Sequence, residues 1–326
     1  MADRAGMRAL KFVVNRLMAL WLVVCAVVGY VVPGPFLPLG PWTLWMLAAV
    51  IFFMGLTLKW EEIGGVFRAP RALATGMIVK WISVPLVAYA AAVIAFRDQP
   101  QLAGGVILDG STPSGVSANV FTFLSGGSVA LSIAMSAMNT LLSPVLTPLA
   151  TSRLAGTFVH VNARAMFVQM LQVVLAPVLL GLAIRASFRT TVERLQPVLP
   201  MLSALALYLI VLALVSASAR SIQSQANVLP RILAITTTQI LVTLAIGYLA
   251  GLPLGFDRRD RIAIMFEVGI YNSGLGAALA AANFGAFAAL PAIANAMANL
   301  VIGALLTAYL AQRAERMPVP VPGEGV

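Results

Sequence analysis

Long apolar runs alternate with short polar connections from one end of the chain to the other. The runs fall at roughly 10–31, 42–59, 71–96, 102–124, 128–150, 164–187, 197–218, 230–252, 259–283 and 287–312. A helix needs roughly 20 mainly apolar residues to cross a hydrocarbon core, so the pattern predicts ten membrane-spanning helices. The expected fold class is therefore an all-α polytopic membrane protein. Connections this short leave no separate soluble domain. The first run, Phe12–Val32, is followed by no A-x-A cleavage site and has Arg16 at its start, so it reads as a retained span and not a signal peptide. The tail 317–326 (MPVPVPGEGV) is Pro/Gly-rich and is expected to be disordered.

Two of the runs are interrupted. The fourth reads DGSTPSGVSAN from Asp109 to Asn119, and the ninth reads EVGIYNSGLG from Glu267 to Gly276. Gly, Pro and small polar residues at these places would break a helix. Five spans precede the Gly156–Ala163 connection and five follow it, so the second half enters the membrane from the opposite face. Residues 1–155 and 156–316 then form an inverted-topology repeat, with a break at the same place in each half. In transporters of this kind, paired breaks mark the binding site near the bilayer midplane.

Composition agrees with this reading. Hydrophobic residues make up 60% of the chain and charged residues 10%, and the mean hydropathy is +0.95; soluble domains carry about 25% charged residues. The net charge of +10 does not point to nucleic acid, because the basic residues cluster on no single face. They lie at span ends, as topology signals do. Arg4, Arg8, Lys11, Arg16, Lys59, Arg68, Arg71, Arg185, Arg189, Arg194, Arg258, Arg259, Arg261, Arg313 and Arg316 fall on one side; Arg97, Arg153, Arg164, Arg220 and Arg231 fall on the other. The asymmetry places both termini in the cytoplasm. The single cysteine, Cys25, excludes an intrachain disulfide, and His160 is the lone histidine. No Ser-, zinc- or phosphate-binding enzyme motif is present, so no enzyme is expected.

Lys80, Asp109 and Glu267 are the ionisable residues expected deep in the bilayer, where charge is costly and marks function. Glu267 lies just before the second break, where carbonyls are freed. Carboxylate, carbonyl and hydroxyl oxygens together suit a small hard cation. Ser132 and Ser136 share one helix face, with Asn139 near it, and Asn119 follows the first break.

Several segments resemble the bile acid:sodium symporter family. MGLTLKWEEI after residue 53 is similar to that family's MGLTL run. Pro113–Pro148 is similar to its fourth and fifth helices, and EVGIYNSGLGAALAAA from Glu267 to its ninth. The resemblance implies ten helices, a panel domain of spans one, two, six and seven, and a core domain of spans three to five and eight to ten. It also implies that the broken fourth and ninth helices cross. A first sodium site is implied at Asn119, Ser132, Ser136 and Glu267, with Ala118 where the family often has a serine. A second cation site would involve Lys80, Glu267, Val268, Ile270 and Tyr271. There Tyr271 and Lys80 stand in place of glutamines, and a lysine ammonium would repel a sodium ion or replace it. Asp109 is expected to be the intramembrane charge partner of Lys80; the alternative is that Lys80 snorkels to an interface. Ser117, Asn119, Asn272, Ser273 and Asn299 are implied as substrate-binding.

The leading expectation is sodium-coupled symport of a small organic anion, bile-acid-like or pantoate-like, by alternating access. The expected location is the bacterial inner membrane, with the lipid bilayer as surroundings and no nucleic-acid or protein partner. At most one sodium is expected. A carrier of the same fold driven by protons, or by no ion, with Lys80 as an internal cation, is the alternative. A membrane sensor without transport is a distant third.

Overall fold

The computed structural model describes residues 18–57 and 70–315. Arg4, Arg8, Lys11, Arg16, Lys59, Arg68, Arg316, the tail 317–326 and the LKWEEI part of the MGLTLKWEEI run lie outside them. Among the described residues the backbone is helical throughout, apart from short connections and a single antiparallel bridge between Ser114 and Tyr271. Helices satisfy their own backbone hydrogen bonds, which is what a bilayer interior requires.

In chain order the helices are α1 Met18–Val31, α2 Thr43–Thr57, α3 Pro70–Ala95, α4 Pro100–Gly110, α5 Val116–Leu124, α6 Val129–Leu154, α7 Ala163–Met170, α8 Ala176–Ser187, α9 Arg189–Leu195, α10 Leu199–Ser224, α11 Val228–Ala250, α12 Arg258–Gly269, α13 Ser273–Phe284 and α14 Leu290–Glu315. Seven continuous helical stretches among them are long and apolar enough to cross a membrane. One joins a 3₁₀ segment, Gly34–Trp42, to α2; another joins α7 to α8 through the π-helical turn Leu171–Leu175. Many large apolar side chains point outward, among them Trp45, Ile82, Ile94 and Leu305. In water that would be a liability; against lipid tails it is the expected surface.

The remaining spans are built differently. The fourth and ninth apolar runs each fold as two short helices, α4 with α5 and α12 with α13. The breaks between them run past each other in opposite directions. Gly115 donates its N–H to the Ile270 carbonyl at 2.9 Å, and Asn272 donates to the Pro113 carbonyl at 2.8 Å. A Cβ on Gly115 would sit 2.8 Å from the Tyr271 carbonyl oxygen, so only glycine allows this approach. Each break thus satisfies backbone groups that the other has lost.

Two sets of helices pack closely within themselves, and one apolar core runs across both. Helices α2 and α8 pack closely, and α10 lies across α1 and α2. Gly55 and Gly181 bring α2 and α8 together, because a Cβ on either would fall within 2.7 Å of backbone atoms on the facing helix. Arg185 ties the same pair by donating to the Leu56 and Thr57 carbonyls at 2.9 and 2.6 Å, groups orphaned at the end of α2. The second group surrounds the breaks: α3 packs on α4, α6, α11 and α12, while α14 packs on α5, α11 and α13.

Candidate functional site

The breaks place Glu267 at the end of α12, fully buried, facing the start of α6. Its Oε1 accepts from the Ser132 hydroxyl at 2.7 Å and the Ser136 hydroxyl at 2.9 Å, and its Oε2 accepts from Ser136 at 3.1 Å. The Asn119 amide oxygen, on the first turns of α5, accepts from Ser132 at 2.8 Å and Ser136 at 3.4 Å. The four residues that sequence reasoning grouped for a first ion therefore converge from three elements. A hydroxyl offers lone pairs once its hydrogen rotates away. A carboxylate, an amide oxygen and two hydroxyls make an all-oxygen set of one negative charge, which fits a hard cation and not a thiophilic or imidazole-bound metal. No group of His, Cys, Asp and Glu side chains that could hold a transition metal occurs among the described residues. Ala118, beside Asn119, is buried and adds no oxygen.

Behind this cradle runs a chain of bonds that holds its parts in register. Trp81 Nε1 donates to the Asn139 amide oxygen at 2.8 Å, Asn139 Nδ2 donates to Ser114 Oγ at 2.6 Å, and Ser114 Oγ donates to the Glu267 carbonyl at 2.8 Å. The chain links α3, α6, the first break and α12. Ser114 was not singled out by the sequence, although it stands in the PSG break, and neither was Trp81.

The residues of the expected second cation site are also close together, in a different arrangement. Lys80 is 1% exposed, which removes the snorkelling alternative. Its Nζ lies 4.3 Å from the centroid of the Tyr271 ring, a cation–π contact, and has no hydrogen-bond partner. The Ile270 carbonyl accepts from Gly115 N–H, the Glu267 carbonyl from Ser114, and the Tyr271 carbonyl from Ser273 N–H at 3.0 Å. Val268 is buried. Tyr271 Oη and Thr243 Oγ1 lie 3.2 Å apart.

Lys80 and Asp109, expected as charge partners, are both buried and make no direct bond. No ion pair joins them among the described residues. Asp109, 2% exposed at the end of α4, instead accepts through Oδ2 from Asn295 Nδ2 at 2.5 Å. The reason is geometric: Lys80 rises on α3 against Tyr271, while the Asp109 carboxylate turns toward the first turn of α13 near Gly276. Asn295 was missed because an amide by itself carries little local signal. Its spacing of four from Asn299 puts both on one face, and that was the available clue.

The substrate-binding candidates divide. Ser117, Asn119 and Asn272 are partly exposed around the breaks. Asn272 caps α13, its Oδ1 accepting from Leu275 N–H at 3.2 Å, and Leu207 of α10 approaches the neighbouring Gly274. Ser273 and Asn299 are buried and turned to each other: Asn299 Nδ2 contacts Ser273 Oγ at 3.4 Å and the Tyr271 carbonyl at 3.5 Å.

A multi-pass helical membrane protein with two interlocked helix breaks around a buried carboxylate belongs to a transport class, and sequence comparison specifies it. The profile of the Sodium Bile acid symporter family matches residues 44–225, and the chain belongs to that family. It is 33% identical to the Uncharacterized sodium-dependent transporter YocS of Bacillus subtilis over 95% of both chains. It is 29% identical to the Probable sodium/metabolite cotransporter BASS1, chloroplastic, of Arabidopsis thaliana, over 88% of this chain and 71% of that one. The rice protein named Probable sodium/metabolite cotransporter BASS2, chloroplastic, is 28% identical over 82% of this chain and 63% of its own length.

Proposed function

We propose that this protein is a secondary active transporter that couples sodium to the movement of a small organic anion. The observation that carries the proposal is the fully buried Glu267 in an oxygen cradle of Asn119, Ser132 and Ser136. A buried carboxylate without a cation is costly in a bilayer, and a sodium ion held by these oxygens would offset that cost. The names of YocS and of BASS1 from Arabidopsis, which speak of sodium dependence and sodium/metabolite cotransport, support the same reading.

The anion would meet Ser117, Asn119 and Asn272, the partly exposed polar groups beside the breaks. The N-termini of α5 and α13 there offer backbone N–H groups and a positive dipole end, which suit a carboxylate. Asn299 and Ser273 would shape this surface from behind. We assign α1, α2 and α7 to α10 to a panel and the remaining helices to a core, with ten spans in a five-plus-five inverted repeat. Alternating access would be movement of the core past the panel, with both termini in the cytoplasm and the protein in the bacterial inner membrane.

The test is uptake of labelled bile salts and pantoate-like acids into proteoliposomes, with and without an inward sodium gradient. Wild-type protein should accumulate at least one of them only with the gradient, and Glu267→Ala should abolish that uptake while remaining folded. Normal uptake by Glu267→Ala across sodium concentrations would overturn the reading. The position of Lys80 favours one other reading, a carrier of the same fold driven by protons or by no ion. Accumulation that is indifferent to sodium would select it.

A further inference from the structure

The two carboxylates at the breaks occupy equivalent places. Asp109 stands one residue before the end of α4, and Glu267 two residues before the end of α12. The helix that follows each broken span carries a polar pair spaced four apart, of which at least one member meets the carboxylate. Ser132 and Ser136 on α6 serve Glu267, and Asn295 and Asn299 on α14 lie on the Asp109 side, Asn295 bonding it directly. Asp109 also faces the first turn of α13 at Gly276, as Asn119 on the first turns of α5 faces the Glu267 cradle. The chain therefore holds two buried acidic positions, of which the symport reading uses one.

A buried cation already lies with them. The ammonium of Lys80 interacts electrostatically with both Asp109 and Glu267, and Tyr271 is the other titratable group packed against it. It makes no hydrogen bond, while Asp109 Oδ1, Asn295 Oδ1 and Asn299 Oδ1 are buried acceptors without a donor. With Gln239 Nε2, a buried donor beside Gly110, three acceptors and two donors are thus left over in one membrane-buried region, and only the Lys80 donor carries a charge. Full charges are tolerated there when they balance. Two carboxylates and one ammonium leave a single negative charge, enough for one exchangeable cation.

We propose that Lys80 is a tethered cation that takes the place of a second coupling ion between Asp109 and Glu267, so that the protein binds one sodium where the same two carboxylates without the lysine would bind two. This rests on the symport reading and deepens it: Lys80 and Asp109 set how many ions move per cycle, and the Tyr271 ring holds the ammonium by its face. Such a transporter would accumulate its anion less steeply than a two-sodium carrier, because each cycle draws on one ion gradient step.

The count can be read without transport. Equilibrium binding of radioactive sodium to purified protein, monodisperse on size exclusion, should give one ion for wild type and two for Lys80→Gln. Asp109→Asn strips the ammonium of a counter-charge and should weaken sodium binding at least tenfold. The two variants err in opposite directions, so neither result can come from general loss of fold. Equal counts for wild type and Lys80→Gln would overturn the proposal, as would unchanged affinity in Asp109→Asn. The difference between wild type and Lys80→Gln tests the tethered cation, and the absolute count in wild type tests sodium coupling. Two sodium ions in wild type would sink the first and leave the second. None in wild type but one in Lys80→Gln would do the reverse, and none in either would sink both.

Discussion

At the scale of single residues, the cradle around Glu267 can be taken apart one oxygen at a time. Ser136 reaches both carboxylate oxygens and Ser132 one, and each also touches Asn119. Hydrogen bonds to a charged group are worth about 1.5–3 kcal/mol, and tenfold in affinity corresponds to about 1.4 kcal/mol. Ser132→Ala and Ser136→Ala should each raise the sodium concentration for half-maximal uptake by roughly tenfold or more, with Ser132→Ala leaving Ser136 to hold the carboxylate. A sodium titration of uptake for the two variants checks this. These residues could be picked out in the sequence because hydroxyls and amides are rare in apolar runs and because Ser132 and Ser136 share a helix face. Ser114 and Thr243 could not, since their meaning comes from helices far away in sequence. The absence of a direct Lys80–Asp109 bond is equally illegible: opposite charge suggests a contact, and only the three-dimensional placement shows Lys80 over Tyr271 and Asp109 with Asn295.

At the scale of elements, the breaks carry the design. Their positions were visible in the sequence through Pro113, Gly110, Gly115 and Gly269, residues that do not continue a helix well. That the two breaks pair with each other was a property of the resemblance and not of any local pattern. The π-helical turn Leu171–Leu175, the 3₁₀ segment Gly34–Trp42 and the short helix α9 gave no signal, because apolar content says a segment is in the membrane and not how its backbone winds. Close approach at the crossing yields a sharp expectation. A methyl at Gly115 would collide with the Tyr271 carbonyl at 2.8 Å, whereas one at Gly156 would meet nothing within 4 Å. Overpacking of this kind costs about 1–3 kcal/mol. Gly115→Ala should lower the melting temperature of detergent-purified protein by several degrees, and Gly156→Ala should leave it unchanged or raise it slightly. Equal melting temperatures would mean that the breaks are not held against each other as described.

At the scale of the whole molecule, the distribution of charge and the lengths of the helices yield an expectation for how the protein sits in its membrane. Helix α10 has 26 residues and so spans about 39 Å at 1.5 Å per residue, enough to cross a core of about 30 Å. Its ends lie in different charge environments. Arg185, Arg189 and Arg194 gather before it, and only Arg220 and Arg231 flank its other end. Basic residues are retained on the cytoplasmic side, so the connection holding α9 should face the cytoplasm and the Gln225–Asn227 turn should face outward. Cys25 is the only cysteine in the chain, which makes the test clean. In a Cys25→Ser background, Ala226→Cys and Thr190→Cys each place one thiol at an exposed position at opposite ends of α10. A membrane-impermeant maleimide added to intact cells with a permeable outer layer should label Ala226→Cys and spare Thr190→Cys, and permeabilising the inner membrane should expose both. The reverse pattern would invert the topology, move the basic-rich side outward and require the broken helices to be entered from the other face. Labelling of both thiols in intact cells would mean that α10 does not cross the bilayer at all, which its 26 apolar-rich residues and buried face make physically hard to accommodate.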